Sequence, residues 1–202
     1  MKKVLSFAAV LVAISALPAM AGDAPNYTFS IRGGGAFPLS NAYKEVYKGG
    51  VAGAMTFSGG LSSSLDWRLD AGYHKFNTDK TFDEVCALLG VDCQADLDGY
   101  NVTGGLEWHG DRSGDASLVP YVFAGAGIYH NAAAVFAGDT SGSFHDAAKA
   151  TNFGVGGGAG FDWKAGESWG IRIDGRVDWA IRGSEKGDIW SFTPTGGVYF
   201  RF

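Results

Sequence analysis

Apolar and polar side chains alternate along most of this chain with a period of two, the spacing of a β-strand whose two faces meet different surroundings. Eight segments show it. Trp169–Arg182 is the clearest: Trp169, Ile171, Ile173, Val177, Trp179 and Ile181 alternate with Arg172, Asp174, Arg176, Asp178 and Arg182. Tyr27–Gly35, Leu65–Phe76, Leu97–Trp108, Thr151–Trp163 and Trp190–Phe202 follow the same rule. A fifth strand in chain order starts near Leu118, and Val51–Leu61 is a weaker second strand built of small residues. Each segment can supply the roughly 9–11 residues of a tilted membrane strand. Pro120 and Pro194 fall inside strand segments, where a missing donor is tolerated at a strand start or a bulge. The sequence therefore predicts a strand start at Pro120 and a bulge at Pro194.

The links between segments differ in length. Leu61–Leu65, Gly110–Ser117 and Lys164–Ser168 are short, whereas Ala36–Gly50, Asn77–Asp96 and Asn131–Ala150 are long; Gly183–Asp188 breaks the pattern. Short periplasmic turns and longer outer loops produce this alternation in a membrane barrel whose chain starts in the periplasm.

A period of two does not say which face is inside. A soluble barrel turns apolar residues inward and a membrane barrel turns them outward. Three features favour the membrane. Tyr27, Trp67, Trp108, Tyr121, Trp163, Trp169, Trp179 and Trp190 lie near strand ends, where aromatic girdles meet the lipid–water boundary. The polar face of Thr151–Trp163 carries Gly154, Gly156, Gly158 and Gly160, which suits a crowded interior better than a solvated surface. The Arg-Asp-Arg-Asp face of Trp169–Arg182 can pair its charges inside a closed barrel, as burial demands. The expected fold is all-β: an eight-stranded antiparallel transmembrane β-barrel.

The N-terminus adds a compartment. Lys2 and Lys3 precede an apolar run from Val4 to Leu17 and the small-residue site Ala19-Met20-Ala21, the layout of a secretory signal. Residues 1–21 are read as the signal and 22–202 as the barrel; taking 21 residues from 202 leaves 181, enough for one domain. The apolar run is short of the ~20 residues a spanning helix needs, and no other stretch qualifies. Loss of two lysines moves the formal charge from −5 to −7, a poor match to nucleic acid. Behind an export signal, Cys86 and Cys93 suggest a disulfide; no neighbouring ligands complete a metal site. In the same loop, Thr81 and Glu84 fit a capping box, and Phe82, Val85, Leu88 and Leu89 share a helical face, predicting a helical knob on an outer loop.

The strand pattern, the run Pro120-Tyr121-Val122-Phe123-Ala124-Gly125-Ala126-Gly127 and the ending Val198-Tyr199-Phe200-Arg201-Phe202 resemble the small eight-stranded outer-membrane barrels: the OmpA transmembrane domain, OmpX and OmpW-like families. The resemblance covers the whole mature chain and implies residence in the outer membrane of a Gram-negative cell, among its lipids, as a monomer without a cofactor. The stripe Val198, Phe200 and Phe202 looks like the signal read by the barrel-assembly machinery. No peptidoglycan-binding domain follows Phe202, so a full OmpA role is not implied.

Candidate chemistry lies on the polar faces. Arg68, Asp70, Glu107, Arg172, Asp174, Arg176, Asp178 and Arg201 are expected to form an interior charge network. Eight strands enclose barely enough room for side chains, which favours a salt-bridge plug over an open pore. Of the four histidines only His145, in Ser143-Phe144-His145-Asp146, has a hydroxyl and a carboxylate beside it, and the His-x-Ser strand motif of barrel deacylases is absent. No enzyme is expected. The leading reading is a structural or surface-interacting barrel engaging a ligand through its outer loops. The alternative is an OmpW-like narrow channel for small apolar solutes, for which the small-residue second strand and Ala132–Ala137 leave room.

Overall fold

The computed structural model describes residues 27–40, 44, 47–77, 92–112, 116–139, 142–181 and 188–202, with the backbone alone for 92–96, 133–139 and 142–149. The predicted signal, the helical knob and Cys86 lie outside the described residues, as does the side chain of Cys93.

Eight strands are present: β1 (Tyr27–Pro38), β2 (Gly50–Gly60), β3 (Leu65–Phe76), β4 (Asp92–His109), β5 (Leu118–Asp139), β6 (Gly142–Lys164), β7 (Trp169–Ala180) and β8 (Ile189–Arg201). Each pairs antiparallel with the next, and β1 pairs with β8 to close the barrel. Backbone hydrogen bonds seal the closure at the chain ends: Tyr27 N donates to Phe202 O at 2.8 Å and Phe202 N to Tyr27 O at 3.0 Å. The Tyr27 ring lies 6.1 Å from that of Phe202 and stacks on Phe57 at 5.5 Å, an aromatic cluster on the same seam.

The register fixes the dimensions. One circuit of paired residues runs from Thr28 through Ser58, Arg68, Gly105, Gly125, Gly156, Asp178 and Ser191 to Pro38, ten residues further along β1 than it began. With a rise of about 3.3 Å per residue and about 4.8 Å between strands, that stagger tilts the strands by roughly 40° and sets the backbone about 8 Å from the axis. Side chains fill such a lumen.

Three segments differ from the sequence reading. β4 starts at Asp92, five residues before the expected Leu97, because Asp92–Asp96 pair with Ala134–Gly138 of β5. β5 and β6 run on to pair Asp139 with Gly142, so most of the expected loop Asn131–Ala150 is a continued hairpin. Its alanine-rich stretch has no alternation for a pattern to detect; the paired neighbour supplies the strand geometry. Pro194 is not at a bulge. β8 keeps one unbroken offset against β1, from Thr28↔Arg201 to Pro38↔Ser191, and another against β7, where Pro194 faces Gly175. The proline is absorbed where β1–β8 pairing lapses between Gly34↔Thr195 and Phe37↔Phe192, a local gap without an inserted residue. Pro120 is the third residue of β5, and its carbonyl accepts a hydrogen bond from Gly110 N at 2.9 Å.

Burial is inverted relative to a water-soluble protein. Ile31, Met55, Val102, Leu106, Val122, Ile128, Phe161, Ile173 and Val198 point outward with 40–58% of their surface exposed, while Glu107, Asp162 and Arg172 are 0% exposed. A continuous apolar wall around a charged centre is stable only when hydrocarbon surrounds it.

Candidate functional site

The lumen follows from the pleat. Inward positions on consecutive strands carry Arg32 (β1), Thr56 (β2), Asp66, Arg68 and Asp70 (β3), Glu107 (β4), Tyr121 and Tyr129 (β5), Asp162 (β6), Arg172, Asp174, Arg176 and Asp178 (β7) and Thr195 (β8), and all but Arg176 are less than a tenth exposed. The β6 glycines make space for this crowd. A Cβ on Gly160 would stand 2.6 Å from Tyr121 Oη, and one on Gly154 would stand 2.7 Å from the Tyr129 ring. The glycine face is thus a floor on which aromatic side chains of β5 lie.

The charges form linked tiers along the axis. Nearest the short turns, Arg112 reaches back from beyond β4 to bind Asp66, with Glu107 at 2.8 Å, and His109 Nε2 lies 3.3 Å from Asp66. Above it Arg172 holds Asp162 at 2.7 Å and Glu107 at 3.0 Å. Arg68 ties Glu107, at 2.8 Å, to Asp70, at 2.7 Å. Arg32 then joins Asp174, and Asp174 accepts hydrogen bonds from Tyr121 at 3.0 Å and Thr195 at 2.5 Å. The last tier is Arg176, bonded to Asp178 at 2.7 Å and 3.3 Å from Asp70, with Tyr129 donating to Asp178 at 2.5 Å. The guanidinium carbon of Arg68 lies 3.8 Å from the centroid of Phe123, and that of Arg172 lies 4.4 Å from that of Tyr121. Each buried charge thereby meets partners of opposite sign, which burial at low dielectric requires.

Towards the outer end the lining becomes neutral and then apolar. Asn101 and Asn131 precede a layer in which Ala36, Tyr47, Ala52, Phe76 and Leu97 pack together.

No protein-family model matches this sequence, and no curated protein matches it. Solved structures match the fold. Neisserial surface protein A (NspA) superposes with a TM-score of 0.58 at 14% identity, covering 89% of this chain and 100% of that one. OprG, an outer membrane protein from Pseudomonas aeruginosa, gives 0.53 at 16% identity, covering 87% and 95%. Ail, the attachment invasion locus protein of Yersinia pestis, solved with the heparin analogue sucrose octasulfate, gives 0.50 at 14% identity, covering 88% and 97%. The chain folds as a small eight-stranded outer-membrane β-barrel.

In this outer-membrane barrel, seven of the eight residues singled out from the sequence stand in one set of contacts: Arg68, Asp70, Glu107, Arg172, Asp174, Arg176 and Asp178. Arg201 stands apart. It makes no ion pair among the described residues, and its guanidinium lies 5.8 Å from the Tyr199 ring. The sequence reading passed over Arg32, Asp66 and Asp162, although their parity on β1, β3 and β6 marks them as inward. It also passed over Arg112, whose turn position carries no parity. Tyr121, expected in the interfacial girdle, is instead inside and 1% exposed, because it shares its face with Phe123 and Tyr129. Val198, Phe200 and Phe202 lie on the lipid side, 40%, 46% and 68% exposed.

Proposed function

We propose that this barrel is a non-catalytic surface protein, shut by its own lumen charges, that contacts ligands outside the cell through a projecting β-sheet. The β5–β6 hairpin carries this reading. Pairing of β6 with β7 ends at Gly154, yet β6 and β5 stay paired down to Gly142, twelve residues further. At about 3.3 Å per residue this is some 40 Å of strand beyond the last β7 partner. β4 follows part of the way, pairing with β5 as far as Asp92. The result is a three-stranded blade whose β6 edge has no backbone partner among the described residues beyond Phe153, the carbonyl of which accepts from Ile181 N at 3.0 Å, and such an edge is a ready site for contact with another chain. Ail, which shares the fold, was solved with a heparin analogue, so sulfated glycans are one ligand class to include.

The test is to replace residues 132–149 with a two-residue turn, which leaves every β6–β7 pair intact. Bacteria displaying the shortened barrel should lose adhesion to cultured epithelial cells while keeping a folded, heat-modifiable protein in the outer membrane. Excess soluble heparin separates a glycan contact from others. Adhesion unchanged by the shortening would overturn the proposal.

Export by residues 1–21, closure of a loop by Cys86 and Cys93, monomeric insertion among outer-membrane lipids, and recognition of Val198, Phe200 and Phe202 by the assembly machinery complete the proposal. The narrow-channel alternative rests on the apolar layer of Ala52, Phe76 and Leu97 at the outer end of the lumen. Uptake of an apolar dye into liposomes, raised by the barrel, would favour it.

A further inference from the structure

The short-turn end of the barrel holds a recess that the charge network leaves unfinished. It measures about 360 Å³ and is lined by Gly60, Ser62, Ser63, Asp66, His109, Arg112 and Arg201. These residues come from the β2–β3 turn, the inner face of β3, the end of β4 and its following turn, and the end of β8, so the recess opens at the periplasmic mouth.

Its polar inventory is unbalanced. Asp66, the carboxylate in the lining, is already taken: it binds Arg112 and lies 3.3 Å from His109 Nε2. Arg112 spends both terminal nitrogens on Asp66 and Glu107, but its Nε is buried without a hydrogen-bond partner. Arg201 Nη2 is likewise buried and unpartnered. The nearest aromatic neighbour of Arg201, Tyr199, offers a π-face at 5.8 Å and no formal negative charge. Two guanidinium groups with idle donors therefore border one cavity whose carboxylate is spent. Among the described residues the six lumen carboxylates are each paired with Arg32, Arg68, Arg112, Arg172 or Arg176, and none of them makes an ion pair with Arg201.

Buried donors of this kind are normally satisfied, and a guanidinium satisfies them best with a planar or tetrahedral oxyanion. We infer that the periplasmic mouth is an oxyanion-binding site, taking a phosphate or carboxylate group between Arg201 and Arg112, with the Ser62 and Ser63 hydroxyls on its open side. Both serines are exposed on the turn, so an anion can enter from the periplasm without disturbing the ion-paired tiers above.

The test uses the full barrel in zwitterionic nanodiscs, with arginine side-chain nitrogen resonances read by NMR. Inorganic phosphate and, separately, acetate are titrated against sodium chloride at matched ionic strength. A third arm raises the fraction of phosphatidylglycerol with no added phosphate, distinguishing a lipid headgroup from a free anion. Saturable shifts of the Arg201 and Arg112 signals with phosphate or acetate are expected, with none from chloride. Saturation in the lipid arm alone would assign the oxyanion to the headgroup and still support the site. R201Q should weaken binding at least about tenfold, the loss of one charge-assisted contact. Should R201Q fail to fold, S63E serves instead: it sets a carboxylate at the exposed mouth and should abolish the saturable shift. Linear shifts, equal shifts with chloride, or binding unchanged in the variant that folds would overturn the inference.

Discussion

Arg172 Nη2 lies 3.0 Å from Glu107 Oε1, and neither side chain has any surface open to solvent. The two sit on β7 and β4, which are not neighbours in the wall, so their contact spans the lumen and ties opposite sides together. Breaking it strands a charge in a dry interior. R172A should cost about 3–5 kcal/mol, because Glu107 and Asp162 lose a shared partner. Replacing Arg172, Glu107 and Asp162 together with Met, Leu and Leu should cost much less, since no unpaired charge remains. Urea unfolding in lipid vesicles, followed by tryptophan fluorescence, checks both; equal losses for the single and triple variants would contradict the cross-lumen account.

The second expectation concerns the floor beneath Tyr121. G160V should destabilise the barrel by about 1–3 kcal/mol, as overpacking does, because the added atoms fall closest to Ile173 O and 2.6 Å from Tyr121 Oη. G104V is its control. Gly104 lies next to Gly105 on the same strand, but a Cβ there meets nothing within 4 Å, so its loss should be small. Unfolding midpoints of the two variants provide the measurement.

The strands that cross the membrane were readable from residue parity because hydrocarbon and lumen impose opposite demands on alternate positions. Ile173 and Arg172 announce their sides even in isolation. Two parts of the molecule escape that logic. Arg112 works from a turn, where no alternation exists, and only the folded chain reveals that it reaches Asp66 and Glu107. The upper part of β5 and β6 is paired on its backbone from Ala132↔Lys149 outward, where Ala132-Ala133-Ala134 and Ala147-Ala148 carry no alternation of apolar and polar residues. Tyr121 shows a third limit: an aromatic near a strand end can serve the girdle or the lumen, and its place was decided by the Gly160 opposite it.

Lipid-facing positions should be intolerant of charge in proportion to depth. Met55 is 50% exposed on the outer wall and pairs with Ile31 and Ala71. M55R should cost about 2–4 kcal/mol, the range for arginine near the middle of the bilayer. Leu61, 42% exposed in the β2–β3 turn, lies beyond the hydrocarbon, and L61R should cost no more than about 1 kcal/mol. Equilibrium unfolding in vesicles measures both, and similar costs for the two would place the membrane belt elsewhere on the wall.

Conductance tests whether the tiers close the lumen. A backbone about 8 Å from the axis leaves room for side chains and little else, and here the axis is occupied by Arg32, Arg68 and Arg172 with their carboxylates. Native protein in planar bilayers should show no steady large conductance. Triple truncation R68A/E107A/R172A removes the two middle tiers while keeping every residue of the wall, so any variant that still folds should pass ions in discrete steps. Stepwise channels from the native protein would mean that the tiers part at equilibrium. A closed triple variant would mean that the apolar layer of Phe76 and Leu97 seals the outer end by itself, which the added change L97A should then relieve.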